Sequence, residues 1–189
     1  MDFSNDLIYC INALQRGGTI LYPTDTIWGL GCDATDDQAV DKIFAIKNRP
    51  DSKSLITLVD SLQMLEKYAG TIPKSIEDIL QDSSRPTTII YTGIQGFSKR
   101  VIAQDRTAAI RLVNDSFCKS LIREFGKPIV STSANLSGFP SAGSYAEISS
   151  EIISQVDYCV KYRQTEYIQA IPSRIIKILG SEEIQVIRE

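Results

Sequence analysis

Three cations lie close together in the stretch IKNRPDSKS: Lys47, Arg49 and Lys53. Arginine offers a flat fork to phosphate or carboxylate, and lysine a point charge, so the cluster could clamp a polyanion. The same residues could be cations at the C-terminal end of a helix, facing its macrodipole, which accounts well for Lys47 and less well for Lys53. The chain contains no histidine, which removes Ser-His-Asp and Cys-His catalysis and most zinc sites. Chemistry is left to Lys, Arg, carboxylates, hydroxyls, backbone amides or a diffusible metal.

Three other stretches carry polar groups where a chain would normally bury apolar ones. In PTDTIWGLG, Thr26 and its neighbours follow a strand and could present hydroxyls and amides, with glycines allowing close backbone approach; a plain turn has the same composition. In RTAAIRLV, Thr107, Ala109 and Arg111 share one face of a strand, and a buried arginine there needs a partner or an anion. In STSANLSG, Ser131, Ser133 and Asn135 alternate, with Ser141 beyond Pro140. Small hydroxyls and amides at a strand end suit an anion or a ribose, or a Ser/Gly turn.

The elements that must position these groups follow from periodicity. Leu7, Ile8, Ile11 and Leu14 predict an opening helix stopped near Gly17. TILYP is a short strand. Thr35 and Gln38 have the capping-box spacing, and Val40, Ile43, Phe44 and Ile46 give the next helix a core face. That helix ends near Asn48, because Pro50 disfavours helical geometry at Arg49. LITLV, TTIIY, AAIRLV, PIVSTS, DYCVKY, SRIIKIL and EIQVIR read as strands, and SLQMLEKYA and PKSIEDILQ as helices. Asp115 caps a helix that Gly126 ends, Ser144 and Glu147 mark another helix running through Ile153, and Gly180 and Ser181 sit in a turn. The segment TGIQGFSKRVIAQDR has no clear period. Interleaved strands and helices predict a mixed sheet with helices packed on it.

The 189 residues suit one domain, and an apolar fraction of 43% with 23% charged residues suits a soluble globule. No apolar run is long enough to cross a membrane, and the acidic start MDFSNDLIYC is unlike a signal peptide, so a cytoplasmic location is expected. Cys10, Cys32, Cys118 and Cys159 are far apart and read as small buried residues. A net charge of −3 argues against broad nucleic-acid binding, although a local basic cleft can still form.

Taken in order, PTDTIWGLG, KNR and STSANLSG resemble the YrdC-type domain of threonylcarbamoyl-AMP synthases. The likeness runs from about Gly17 to Gly138 and more weakly onward. It implies an α+β (mixed α/β) fold of the YrdC/RibB-like kind: a twisted mixed β-sheet with flanking helices and a concave basic cleft, in a single domain over residues 1–189. It implies a nucleotidyltransferase that makes threonylcarbamoyl-AMP and pyrophosphate from L-threonine, bicarbonate or CO2, and ATP with Mg2+. The product would serve the t6A modification of tRNA, through a downstream tRNA threonylcarbamoyl transferase complex. By the same resemblance Lys47 and Arg49 are catalytic, and Thr26, Arg111, Ser131 and Ser173 bind L-threonine. Arg49, Lys53, Thr107, Ser133, Asn135, Ser141 and Arg188 bind the nucleotide, and no protein side chain is a metal ligand. The residue after Ser173, usually threonine in the family, is Arg174 here.

Other readings compete. The basic concavity could serve an RNA-binding or ribosome-assembly factor in contact with tRNA or double-stranded RNA. The domain could handle carbamoyl-adenylate made from carbamoyl phosphate, or be a paralogue that binds nucleotide without turnover.

Overall fold

The computed structural model describes residues 2–48, 55–81, 85–166, 172–179 and 183–189. In chain order they form α1 (Ser4–Gln15), β1 (Ile20–Tyr22), β2 (Gly29–Gly31), α2 (Asp37–Lys47), β3 (Ile56–Val59), α3 (Leu62–Ala69), α4 (Lys74–Gln81), β4 (Thr87–Thr92) and β5 (Thr107–Leu112). Then come α5 (Ser116–Phe125), β6 (Ile129–Ser133), a 3-10 turn (Tyr145–Glu147), α6 (Ser150–Ile153), β7 (Tyr158–Cys159), β8 (Arg174–Leu179) and β9 (Glu183–Arg188). The strands join one sheet in the order β7-β1-β2-β6-β3-β5-β4-β8-β9. The β1–β7, β3–β5 and β4–β8 pairs are parallel, and the rest are antiparallel. This is the expected mixed sheet flanked by helices.

Register decides what each face of the sheet carries. Paired residues sit side by side on one face, so the row Ile89–Ile110–Thr57–Val130 runs across β4, β5, β3 and β6. All four are almost fully buried, and α3 and α5 pack nearby against β3. Burying an isoleucine in such a row contributes roughly 2 kcal/mol. The next row, Ile90–Ala109–Ile56–Ser131, necessarily points the other way. It becomes the floor of the cavity described below.

Helix ends follow local chemistry. The Asp36 carboxylate accepts from the backbone N–H groups of Gln38 and Ala39, at 2.8 and 3.3 Å, to start α2. Asn48 ends that helix in the left-handed region, φ 46°. Asp115 accepts from Cys118 N at 2.9 Å to start α5, and Gly126 closes it at φ +75°.

Several sequence expectations need correction. Thr35 is not the cap of α2: its hydroxyl donates to Asp33 Oδ1 at 2.6 Å, and the neighbouring Asp36 takes the position. Ser144 makes no capping bond, and Glu147 accepts instead from Gly143 N at 2.7 Å. Only a 3-10 turn forms there, and Ser149 then caps the short α6. Ile8 is exposed, because Cys10 joins Leu7 and Leu14 on the buried face of α1. Cys159 is half-buried, whereas Cys10, Cys32 and Cys118 are buried, and all four are free thiols. The strand read in DYCVKY is confined to Tyr158 and Cys159. Gly180 and Ser181 lie outside the described residues. Among the described residues no helix is long and apolar enough to cross a membrane.

Candidate active site

A cavity of about 320 Å³ opens on the Ile90–Ala109–Ile56–Ser131 row. Its floor is apolar, through Ile56, Ile90, Ala109 and Ile175, and its walls are hydroxyls and cations. β6 contributes Ser131 and Ser133, the following loop Ser141, and the loop between β1 and β2 contributes Thr26. β5 contributes Arg111, and the β8–β9 region contributes Ser173 and Arg188. Thus residues from distant parts of the chain meet in one hollow. Its described lining holds two cations and no carboxylate, which suits an anionic ligand.

Sequence explains this local build. Gly29 is opposite Ser133 in the β2–β6 pair, and a Cβ at Gly29 would come within 2.9 Å of Ser131 Oγ. The glycine therefore gives the serine its space. Thr26 is buried, and its hydroxyl lies 3.0 Å from that of Thr24. The Ser173 hydroxyl lies 2.8 Å from Thr88 Oγ1, while its carbonyl accepts from Arg188 Nη2 at 2.7 Å and Nε at 3.1 Å. This ties the C-terminal strand to the cavity wall. Burial, with repulsion from Arg111 and Arg85, shifts the Arg188 pKa downward.

Arg111 is only 3% exposed. Its Nη2 donates to Asp25 Oδ1 at 2.8 Å, and its buried Nε has no hydrogen-bond partner. Arg111 thus lines the cavity as a buried guanidinium, neutralised by Asp25 and with one donor still unpaired, and has capacity to bond a further acceptor.

Other candidates sit differently. Lys47 is buried at the end of α2 and donates to the carbonyls of Ser133 and Asn135, the latter at 2.7 Å. It also reaches Asn135 Oδ1 at 3.5 Å. Asn135 does not line the cavity; its amide donates to the carbonyls of Leu136 and Phe139, since β6 ends at Ser133 and the alternation stops there. Thr107 shares the face of Arg111 but is absent from the cavity wall, and its hydroxyl donates to Asp105 Oδ1 at 2.6 Å. Arg49 and Lys53 lie outside the described residues. Sequence reasoning passed over Asp25 and Thr88. Asp25 stood in view between two threonines in PTDT, but nothing local pairs it with Arg111.

A larger hollow, about 710 Å³, lies near Asp33, Asp36 and Asp37. Its acids already bond within the protein: Asp33 to Thr35 and Lys127, Asp36 to the start of α2, and Asp37 to Ser98. Among the described residues no group of three or more Cys, Asp or Glu side chains could hold a metal ion.

The model of the Sua5/YciO/YrdC family (telomere recombination) matches residues 12–189. The chain belongs to this family. A threonylcarbamoyl-AMP synthase of Pseudoalteromonas translucida is 39% identical over 163 residues, covering 85% of this chain and 87% of that protein. One of Saccharophagus degradans is 36% identical over 143 residues, covering 75% of each. Among solved structures, Sua5 of P. abyssi complexed with L-threonine superposes with a TM-score of 0.83 at 26% identity. That match covers 91% of this chain and 50% of the Sua5 chain, so this chain spans about half of it. E. coli YciO superposes with a TM-score of 0.81 at 25% identity, covering 98% of this chain and 89% of that one.

Proposed function

We propose that this protein is a threonylcarbamoyl-AMP synthase, a nucleotidyltransferase that uses L-threonine, bicarbonate or CO2, and ATP, with residues 1–189 acting as one domain. The observation that carries the reading is the single cavity in which Thr26, Ser131 and Ser173 accompany the buried guanidinium of Arg111. The relatives bearing that enzyme's name, at 39% and 36% identity, support it.

The chemistry needs little beyond positioning. The amine of threonine adds to CO2, loses a proton and becomes a carbamate. A carbamate oxygen attacks the α-phosphorus of ATP, and pyrophosphate leaves with the electron pair of the broken P–O bond. Both reactants are anions, so the site must offset their repulsion. In this reading Arg111 takes the threonine carboxylate, with Thr26, Ser131 and Ser173 around the amino acid. Arg188, Ser133 and Ser141 lie toward the nucleotide. Arg49 and Lys53 are assigned to the phosphates by resemblance. Lys47 has a positioning part: it holds the carbonyls of the loop that carries Ser133. Thr107 and Asn135, outside the described cavity wall, are assigned to the nucleotide by resemblance. Mg2+, arriving with the nucleotide as part of the substrate, would supply further charge stabilisation at the phosphates. No step needs histidine, because the carbamate is already a nucleophile.

The product, an acyl-adenylate-like mixed anhydride, would be consumed by the tRNA-modifying transferase in the cytoplasm. The decisive experiment is mass spectrometry of the mixture of enzyme, ATP, bicarbonate and L-threonine. Threonylcarbamoyl-AMP is the expected product, and Arg49→Ala should abolish threonine-dependent pyrophosphate release while preserving the fold. Carbamoyl-adenylate from carbamoyl phosphate, or ATP left intact with steeply salt-dependent RNA binding, would overturn the assignment.

A further inference from the structure

The Asp25–Arg111 ion pair separates two hollows. Arg111 lines the cavity of about 320 Å³, whereas Asp25 lines a second hollow of about 500 Å³ with Asp60, Arg85 and Asp115. Among the described residues, Asp25 is the acid that bonds a cation of the first cavity. The pair is buried, with side-chain exposures of 4% for Arg111 and 12% for Asp25.

The loop that carries Asp25 is braced by its neighbours. The Thr24 hydroxyl accepts from Thr26 N at 3.1 Å and donates to the Ile27 carbonyl at 2.7 Å. These bonds close the loop around Asp25. A carboxylate carried on a braced loop helps fix the plane of the guanidinium it meets, because the fork is rigid and its donors are directional. With Nη2 engaged by Asp25, Nε remains as a buried donor without a partner.

We propose that Asp25 is a positioning residue of this site: it orients Arg111 so that the guanidinium lining the cavity receives the carboxylate of the amino-acid substrate. The proposal rests on L-threonine being that substrate. Two effects oppose each other. Removing the Asp25 charge makes the cavity more positive, which by itself would favour an anion. Removing the anchor lets a buried guanidinium turn away, which disfavours it. Orientation should win, because among the described residues Asp25 is the acid paired with the Arg111 fork.

The test uses Asp25→Asn and Asp25→Glu in the full chain. Pyrophosphate release is followed against L-threonine, ATP and L-threonine amide, which lacks the carboxylate, and L-threonine binding is followed by calorimetry. Asp25→Asn should raise the KM for L-threonine about ten-fold or more, leave that for ATP within about two-fold, and erase most of the preference for threonine over its amide. Asp25→Glu should recover part of that preference. An unchanged or lower KM for threonine overturns the proposal, and so does an equal loss for threonine and its amide, which marks a merely structural residue. If Asp25→Asn does not fold, Asp25→Glu decides alone, since a lengthened carboxylate must move the fork and lower the same preference. A wild-type protein that neither binds L-threonine nor turns it over overturns the functional reading itself, an outcome distinct from a silent Asp25 in an active enzyme.

Discussion

The Lys47 ammonium donates to the main-chain carbonyl of Asn135 at 2.7 Å, and to that of Ser133 as well. The last residue of α2 thereby fixes the point where β6 leaves the sheet. A cation at a helix end has become a brace for the loop that follows Ser131 and Ser133.

Lys47→Met should therefore lower stability even without ligand. Hydrogen bonds to a charged donor are worth roughly 1.5–3 kcal/mol each, and a loss of about 3 kcal/mol in urea unfolding is expected. Product formation should fall as well, since Ser133 loses its support. An unfolding midpoint equal to that of wild type would show that the lysine serves ligand alone.

Thr57→Val should do the opposite. Thr57 is fully buried in the row beneath the helices, and its hydroxyl has no partner. Replacing it with a methyl of similar size removes an uncompensated polar group, so stability should rise by about 1–2 kcal/mol. Thr57 faces away from the cavity, so turnover should be unchanged; calorimetric unfolding and a pyrophosphate assay check both.

Gly29→Ala and Gly31→Ala should separate site from scaffold. At Gly29 the new methyl meets Ser131 Oγ at 2.9 Å, and the serine must move. Activity should drop at least about ten-fold, with a stability cost near 1 kcal/mol. At Gly31 it meets Tyr22 Cε1 at 2.6 Å and the Val130 carbonyl at 2.8 Å, inside the packed core. That variant should lose about 2–3 kcal/mol of stability first, and activity only as folded protein is lost.

Alkaline pH should weaken the fold. Burial pushes the thiols of Cys10, Cys32 and Cys118 above their ordinary value of 9.0. Below pH 9 they are protonated in both folded and unfolded chains and contribute no pH dependence. Above it the unfolded chain releases protons that the folded chain retains, so stability declines as pH rises. The slope is about 1.4 kcal/mol per pH unit for each such thiol. Tyr22, also raised by burial from 10.0, steepens the decline at higher pH. Urea titrations between about pH 8 and 10 should show it, and iodoacetamide at pH 8 should leave these cysteines unlabelled until the chain unfolds.

What the sequence revealed depended on how locally each feature is determined. Asp115 and Gly126 are neighbours of the helix they bound, so α5 could be read directly. Val40, Ile43, Phe44 and Ile46 announced their face by spacing alone, and all four are buried. The spacing of Ser144 and Glu147 misled, because Glu147 had a nearer donor in Gly143 N. Thr35 misled because two aspartates flank it. In the site, the hydroxyl-rich stretches were visible as polar residues in strand contexts. Their convergence was not, since Arg111 finds Asp25 across 86 positions. The parallel pairing of β4 with β8 that brings Ser173 to Thr88 leaves no trace in either segment.

The place of β6 has a kinetic consequence. It is the seam of the sheet, joining β2 from the first third of the chain to β3 on its other side. Contacts so distant in sequence form late, because closing long loops must precede any gain from pairing. The hollow therefore lacks the hydroxyl wall of Thr26, Ser131 and Ser133 until the two halves of the sheet have zipped together. During refolding, catalytic competence should return with the slowest phase, and a half-assembled chain should show none.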